Sequence, residues 1–113
     1  MSKPLDPETA RAARAYLARI AERYDLAGAL LFGSRARHSH RADSDADVAI
    51  LLRGPRGHFL DTKLDLADIA FDVLLETGVL IQPLPIWEDE WEHPEHHSAP
   101  TLIRNVKREG IRL

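Results

Sequence analysis

Two short groups of residues near the middle of the chain have side chains and a spacing suited to bind a charged ligand. Gly33 and Ser34 follow the apolar run 29–32, and after ten intervening residues Asp45 and Asp47 open a second apolar run. A glycine lets the backbone approach a ligand closely, and the amides that begin the next helical turn point at an anion. Two aspartates at alternate positions of a strand project from the same face. Such groups are suited to hold Mg²⁺ together with the phosphates of a nucleoside triphosphate.

The polar residues next to this turn extend the predicted anion site. The Ser34 hydroxyl can bond a phosphate oxygen, and the Arg37 guanidinium can reach the same anion. A structural explanation competes with this interpretation, in which Asp45 and Asp47 only cap the start of a strand beside the turn at 43–44. That explanation leaves the preceding Gly-Ser turn without a purpose, so we favour the ligand site.

The spacing of apolar residues predicts a chain in which helices and strands alternate. Asp6 and Pro7 are suited to be the N-cap and the first residue of a helix. The cluster 53–57 is a strong turn signal, and two prolines in the last predicted strand are typical of a sheet edge. The predicted helices cover 7–24, 59–77 and a short segment around 102–106, with one or two helical turns at 35–38, and the predicted strands cover 26–32, 45–52 and 79–87.

This order of elements predicts an α/β or α+β fold, with a small mixed β-sheet flanked by helices. The 113 residues suit one hydrophobic core, so we expect a single domain over residues 1–113. An apolar content of 44% and a charged content of 29% are typical of a globular protein in water.

The helix predicted over 59–77 contains both a candidate core stripe and a series of acids. Gly78 follows it, where a left-handed C-terminal glycine belongs. Its acids are typical of a solvated face, and contact with a basic partner is the alternative; they are Asp61, Asp65, Asp68 and Asp72. The predicted core stripe consists of Leu60, Leu64, Ala67, Phe71 and Leu74.

Composition and charge exclude several classes of protein. A formal net charge of −3 gives no overall attraction to nucleic acid or to anionic membranes. No apolar run approaches the roughly 20 residues that span a bilayer, and residues 1–4 lack the apolar segment of a signal peptide. The chain has no cysteine, which excludes disulfides and thiolate chemistry. We therefore expect a cytoplasmic protein.

The central motif resembles that of a known family. Residues 31–37, Leu-Phe-Gly-Ser-Arg-Ala-Arg, and 43–48, Asp-Ser-Asp-Ala-Asp-Val, are similar to the nucleotidyltransferase superfamily of DNA polymerase beta. Within it the resemblance is to the minimal nucleotidyltransferases, or MNT proteins, which are partnered with HEPN toxins. The combination of Gly-Ser, ten residues and Asp-x-Asp is specific, whereas the likeness over the rest of the chain is loose.

The resemblance implies an activity, two cofactors and a partner. It implies that Asp45 and Asp47 hold Mg²⁺ and act in catalysis, and that Gly33 and Ser34 hold the phosphates of ATP, with Arg37 and Ser44 of the same motif also binding the nucleotide. It further implies transfer of AMP to a tyrosine of a HEPN toxin, with which the chain forms a hetero-oligomer as the antitoxin. A free-standing transferase acting on a small molecule or a nucleic-acid end is a further alternative.

The sequence departs from the family pattern at two positions. The family motif continues with glycine where this chain has His38. Family enzymes also carry a third carboxylate on the next strand, whereas Gln82 occupies the corresponding place here; Asp72 or Glu76 of the preceding helix is the substitute to consider. A neutral amide is a weak Mg²⁺ ligand and no general base, so a catalytically degenerate module that binds its partner without chemistry is the alternative function.

Histidines and tryptophans supply weaker signals. His93, His96 and His97 suggest a metal site, but their span is short and a solvated polar loop explains them as well. Trp87 and Trp91 are predicted to be anchors of the core or of an interface rather than a platform for stacking bases.

Overall fold

The computed structural model describes residues 5–113 as a layer of β-strands with helices on both of its faces. Most predicted strands and helices are present, with shifted ends. In chain order the elements are α1 (Pro7–Ile20), β1 (Leu26–Phe32), β2 (Ala46–Leu52), α2 (Phe59–Thr77), β3 (Ile81–Trp87), α3 (Glu88–Glu92), a 3₁₀ turn (Pro94–His96), α4 (Pro100–Glu109) and β4 (Ile111–Arg112).

The four strands form one mixed sheet in the order β3-β2-β1-β4. Strand β1 runs antiparallel to both of its neighbours, β2 and β4. Strands β2 and β3 are parallel, which requires a crossover, and α2 supplies it. The predicted α+β class with a mixed sheet flanked by helices is confirmed.

Alternate residues of the strands supply a core on each face of the sheet. On one face Leu31, Val48 and Ile50 pack against α1 and α2. On the other face Ala49 and Leu51 pack against α4. The period of two along β2 therefore assigns its even-numbered side chains to α1 and α2, and its odd-numbered side chains, Asp47 included, to α4.

Both ends of α1 are fixed by side chains rather than by helix propensity alone. The Asp6 carboxylate accepts from the Thr9 amide at 3.1 Å, which is the predicted N-cap. The helix ends at Ile20 and not at residue 24, because the chain turns at 21–24 and brings Tyr24 to α2, where its hydroxyl donates to Asp65 at 2.5 Å.

At the end of α2, Gly78 has a φ of 80°, as a left-handed C-terminal residue requires.

The predicted core stripe of α2 is wrong. Four of its five members, Leu60, Leu64, Ala67 and Phe71, are exposed in the structure. Helix α2 has apolar residues on two opposite faces. Only one of these faces packs against the apolar side chains of β2 and β3 and is buried. The buried residues of α2 are Leu66, Ile69, Ala70 and Val73.

The segment between β3 and α4 forms short helical elements that sequence analysis did not predict. It contains α3 and the 3₁₀ turn. The buried Glu90 caps the N-terminal end of α3, where its carboxylate accepts from the Trp87 amide at 3.2 Å. Trp87 is buried in the core, as predicted, and Trp91 packs against the core of the other face. Strand β4, which sequence analysis did not predict, pairs with the end of β1.

Strand β3 is an edge of the sheet, as its two prolines predicted. The Leu80 carbonyl accepts from the Ala46 amide of β2, so even-numbered positions of β3 direct their backbone groups toward β2. Pro83 and Pro85 occupy odd-numbered positions, where a backbone N–H would point outward from the sheet.

The structure also bears on the exclusion of membrane proteins. Among residues 5–113, no helix combines the length and the apolar character that crossing a bilayer requires.

A pair of leucines two positions apart tests the assignment of the buried face of α2. Leu66 is fully buried and Leu64 is 58% exposed. We expect Leu66→Ala to lower the free energy of unfolding by about 2–5 kcal/mol, because it removes core contacts and leaves a cavity. Leu64→Ala is expected to change it by less than about 0.5 kcal/mol. Denaturant unfolding of both variants measures the difference, and similar losses would contradict the assignment.

Candidate functional site

The Gly-Ser turn leaves β1 in a conformation that only glycine adopts readily. Gly33 has a φ of 76°, in the left-handed region. Its carbonyl accepts from the amides of Ala36 at 3.1 Å and Arg37 at 3.2 Å. Residues 34–38 form a run of hydrogen-bonded turns in the place where one or two helical turns were predicted.

Gly33 lies directly against the carboxylate of Asp47. A Cβ added to Gly33 would overlap Asp47 Oδ2 and would lie 3.2 Å from its Cγ. The register explains this closeness, since Asp47 is the β2 partner of Phe32, the residue before the glycine. The two groups that sequence analysis singled out, ten residues apart, are therefore brought together by the β1–β2 pairing.

The two aspartates differ in their surroundings. Asp47 is half-buried within β2, and Asp45 is exposed just before the strand begins. Burial raises the pKa of Asp47, and the negative charge of Asp45 raises it further, while Arg37 opposes both effects. The like charges are close enough to interact, which is the arrangement that a bound cation would relieve.

Gln82 of β3 lies beside the aspartates, where sequence analysis placed it. It is the β3 partner of Asp47 in the parallel register, and its Nε2 donates to Asp45 Oδ2 at 3.0 Å. The proposed substitutes for a third acid are not in this position: Asp72 is exposed on α2, and Glu76 forms an ion pair with Arg19 of α1. Within residues 5–113, the aspartates thus face an amide and not a third carboxylate.

The other predicted site residues line the turn and the loop that leads into β2. Ser34 is half-buried, and its hydroxyl makes no hydrogen bond with residues 5–113. Arg37 is exposed, 3.7 Å from Glu109 of α4. The Ser44 hydroxyl accepts from the Arg41 amide at 2.9 Å, which shapes the loop before Asp45.

Arg35 is a site-supporting residue that sequence analysis missed. Its side chain is 1% exposed, although it belongs to a polar segment. Its guanidinium donates to the carbonyls of Ser44 at 2.9 Å and Ala42 at 3.2 Å, and to the Thr9 hydroxyl at 2.8 Å. The only signal in the sequence was its position inside the ten-residue interval, which does not reveal burial.

His38 stands where the family motif has glycine, and its backbone keeps the conformation that favours glycine. Among residues 5–113, His38 is the one residue other than glycine that has a positive φ, and its φ is 55°. Its Nε2 is buried and forms no hydrogen bond with that part of the chain. A histidine in this conformation carries a backbone strain of about 1 kcal/mol that a glycine would not.

The donor set at the site fits Mg²⁺. Asp45 and Asp47 supply carboxylate oxygens, and the Gln82 side chain supplies an amide oxygen. Among the described residues, no group of three or more His, Cys, Asp or Glu could hold a metal without other ligands. Mg²⁺ commonly takes one or two carboxylates and completes its shell with water and substrate phosphates.

The histidine-rich segment provides no metal site of this kind. His96 forms a hydrogen bond with Asp89 at 2.8 Å, and the buried His97 accepts from the Ala99 amide at 2.9 Å.

Two grooves lie elsewhere on the surface and contain none of the predicted site residues. One, of about 380 Å³, includes Leu17 of α1 and Leu113, and the other, of about 130 Å³, includes Trp91.

Replacing Gly33 tests how tightly the turn and Asp47 are packed. We expect Gly33→Ala to lower the free energy of unfolding by about 2–4 kcal/mol, because the left-handed backbone and the clash with Asp47 both oppose a side chain. Gly54→Ala is the matched control, since Gly54 has a φ of 89° and nothing within 4 Å of the added Cβ. Its loss is expected to be about 1–2 kcal/mol. Denaturant unfolding measures both, and equal losses would contradict the close contact.

Comparisons with known proteins agree with this geometry. A crystal structure from Sulfolobus solfataricus, provisionally described as a nucleotidyltransferase, matches with a TM-score of 0.58 at 16% identity, covering 94% of this chain and 82% of that chain. At that identity the likeness shows the fold alone, which is the predicted nucleotidyltransferase fold. No curated protein sequence matches the chain. The family model for "Polymerase beta, Nucleotidyltransferase" matches residues 16–83, a segment that contains the turn, both aspartates and Gln82. Because that match spans more than half of the sequence, the chain belongs to the polymerase beta nucleotidyltransferase family.

Proposed function

We propose that the chain is a Mg²⁺-dependent nucleotidyltransferase that moves AMP from ATP onto a HEPN toxin, with which it pairs in the cytoplasm as the antitoxin. The observation that carries the transferase activity is the contact of the Gly33 turn with the Asp47 carboxylate, with Asp45 alongside. An anion-binding turn and two carboxylates in contact are what a metal–triphosphate complex requires. The acceptor and the antitoxin role are supported by the resemblance of the motif to MNT proteins.

Each site residue has a part in this proposal. Asp45 and Asp47 hold Mg²⁺, which when bound neutralises charge on the phosphates. The backbone at Gly33 and the hydroxyl of Ser34 hold the β- and γ-phosphates, and Arg37 adds a positive charge beside them. Ser44 lies in the same loop and contacts the nucleotide.

The transfer itself is a substitution at phosphorus. An acceptor hydroxyl oxygen bonds to the α-phosphorus while the bond from that phosphorus to the pyrophosphate oxygen breaks. The hydroxyl proton passes to solvent, because Gln82, the residue beside Asp45, cannot accept it. The residues of this chain therefore act by positioning and by charge.

Label transfer from ATP tests the activity. With labelled ATP, Mg²⁺ and the product of the neighbouring gene, we expect label on that product with the wild-type chain and background levels with Asp45→Ala combined with Asp47→Ala. The matched control is Asp25→Ala with Asp89→Ala, two exposed aspartates outside the site, and it should transfer as the wild type does. Equal labelling by the wild type and the Asp45/Asp47 variant would contradict the proposal.

A second candidate function is binding without chemistry, and the Gln82–Asp45 hydrogen bond favours it. In this function the site holds Mg²⁺ and nucleotide, and the chain neutralises its partner by association. Intact mass spectrometry distinguishes the two functions, since an increase by AMP on the partner rules out pure binding.

Gln82 also gives a direct test of the metal site. We expect Gln82→Glu to tighten Mg²⁺ binding by about tenfold, because a third carboxylate joins Asp45 and Asp47. Gln82→Asn, which keeps the amide and shortens the side chain, should give no increase. Calorimetric titration with Mg²⁺ measures both variants, and unchanged affinity in Gln82→Glu would show that the metal binds elsewhere.

A further inference from the structure

Helix α2 carries a second apolar face that nothing in the described chain covers. Its four large members lie at intervals of four, seven and four residues, so they share one side of the helix over about 22 Å. We call this face the outer stripe: Leu60 (65% exposed), Leu64 (58%), Phe71 (54%) and Leu75 (72%). Exposed large apolar residues in a row of this length are typical of an interaction surface.

A row of unpaired acids runs beside the outer stripe. Asp61, Asp68 and Asp72 are exposed, and none of them forms an ion pair within residues 5–113. Asp61 and Asp72 each directly follow a residue of the stripe, so the acids lie on one flank of it. We call these three residues the acidic row.

The remaining charges of α2 are already engaged within the chain. Asp65 and Glu76, farther round the helix, form ion pairs with Arg23 and Arg19 of α1. On the other flank of the stripe the basic residue is Lys63, whose Nζ lies 5.8 Å from the centre of the Phe59 ring. The surface offered to a partner is thus apolar along its centre and negative along one side.

We propose that the outer stripe and the acidic row form a docking surface for a helix of another protein, one with an apolar row flanked by lysines or arginines. The apolar rows would pack as two helices do in a coiled coil, and the basic flank would lie against the acidic row. Charge complementarity of this kind sets both the partner and the orientation.

A second copy of the chain is a poor match for this surface. In an antiparallel two-fold pairing of α2, the acidic rows of both copies fall on the same side of the seam and repel each other. In a parallel pairing the three carboxylates of each acidic row meet a flank whose basic residue is Lys63. One lysine cannot pair with all three acids. An anionic membrane surface is repelled by the same acids.

The docking surface is separate from the aspartate site. Helix α2 packs on the face of the sheet that receives Val48 and Ile50, whereas Asp47 projects to the face covered by α4. The inference therefore goes beyond the proposed transferase and does not depend on it, and a bound helix would leave the Gly33 turn open.

Two synthetic peptides test the proposal with the full-length chain. Both are 18-residue helices with leucines at heptad spacing; one carries lysines along one flank, and the other carries glutamates there. By fluorescence anisotropy we expect the lysine peptide to bind at least tenfold more tightly. Leu64→Gln combined with Phe71→Gln should weaken its binding at least tenfold, and both positions are exposed, so the fold should be retained.

The acids are tested by a matched pair of triple variants. Asp61→Asn, Asp68→Asn and Asp72→Asn together should remove the preference for the lysine peptide. Glu8→Gln, Glu22→Gln and Glu92→Gln, three exposed acids elsewhere, make the same change in net charge and should keep it. Equal binding of the two peptides, or loss of the preference in both triple variants, would overturn the proposal.

Other occupants of the surface give distinct results. A concentration-dependent dimer in sedimentation equilibrium that Leu64→Gln with Phe71→Gln disperses would overturn the proposal in favour of a second copy. Sedimentation with phosphatidylcholine vesicles, lost in the same variant, would overturn it in favour of a membrane. A monomer that ignores vesicles and prefers the lysine peptide supports it.

Discussion

The buried guanidinium of Arg35 is the interaction on which the geometry of the site depends. It joins the first turn of α1, through Thr9, to the loop that ends at Asp45, through the carbonyls of Ala42 and Ser44. A buried charge is tolerated only when it is paired, and here its donors bond one hydroxyl and two loop carbonyls, with the Asp6 carboxylate 3.6 Å away. The loop that leads into Asp45 is thereby tied to α1, which links the stability of the fold to the shape of the site.

Much of the fold could be predicted from local sequence patterns, whereas the rest depends on contacts between segments distant in the chain. The capping residues Asp6 and Gly78 bounded two helix ends correctly, because caps act over a few residues. The buried face of α2 could not be predicted in this way, since both of its faces repeat at helical spacing. Sheet packing made the choice by burying Leu66 and leaving Leu64 in solvent. Periodicity predicts that a helix is amphipathic but not which of two apolar faces meets the core.

The candidate site shows the same division. The Gly-Ser turn and the Asp-x-Asp pair could be found because their combination at this spacing is specific, although a Gly-Ser turn alone is not. The β1–β2 register then brings Gly33 to Asp47. Gln82 could be placed only through the family pattern. The burial of Arg35 could not be predicted, because its partners come from two segments distant in sequence. The chemistry of the side chains identifies candidate site residues, and the pairing of the strands determines which of them lie together.

The prolines of β3 have a consequence for how the molecule can associate. An exposed strand edge ordinarily invites strand addition, in which a partner is held by main-chain hydrogen bonds that are indifferent to its sequence. Pro83 and Pro85 remove outward donors from this edge, so a visiting strand would find gaps in the ladder. Recognition is thereby left to side chains, which discriminate among partners where backbone does not. The β3 edge therefore disfavours strand addition, although the outer stripe of α2 is exposed.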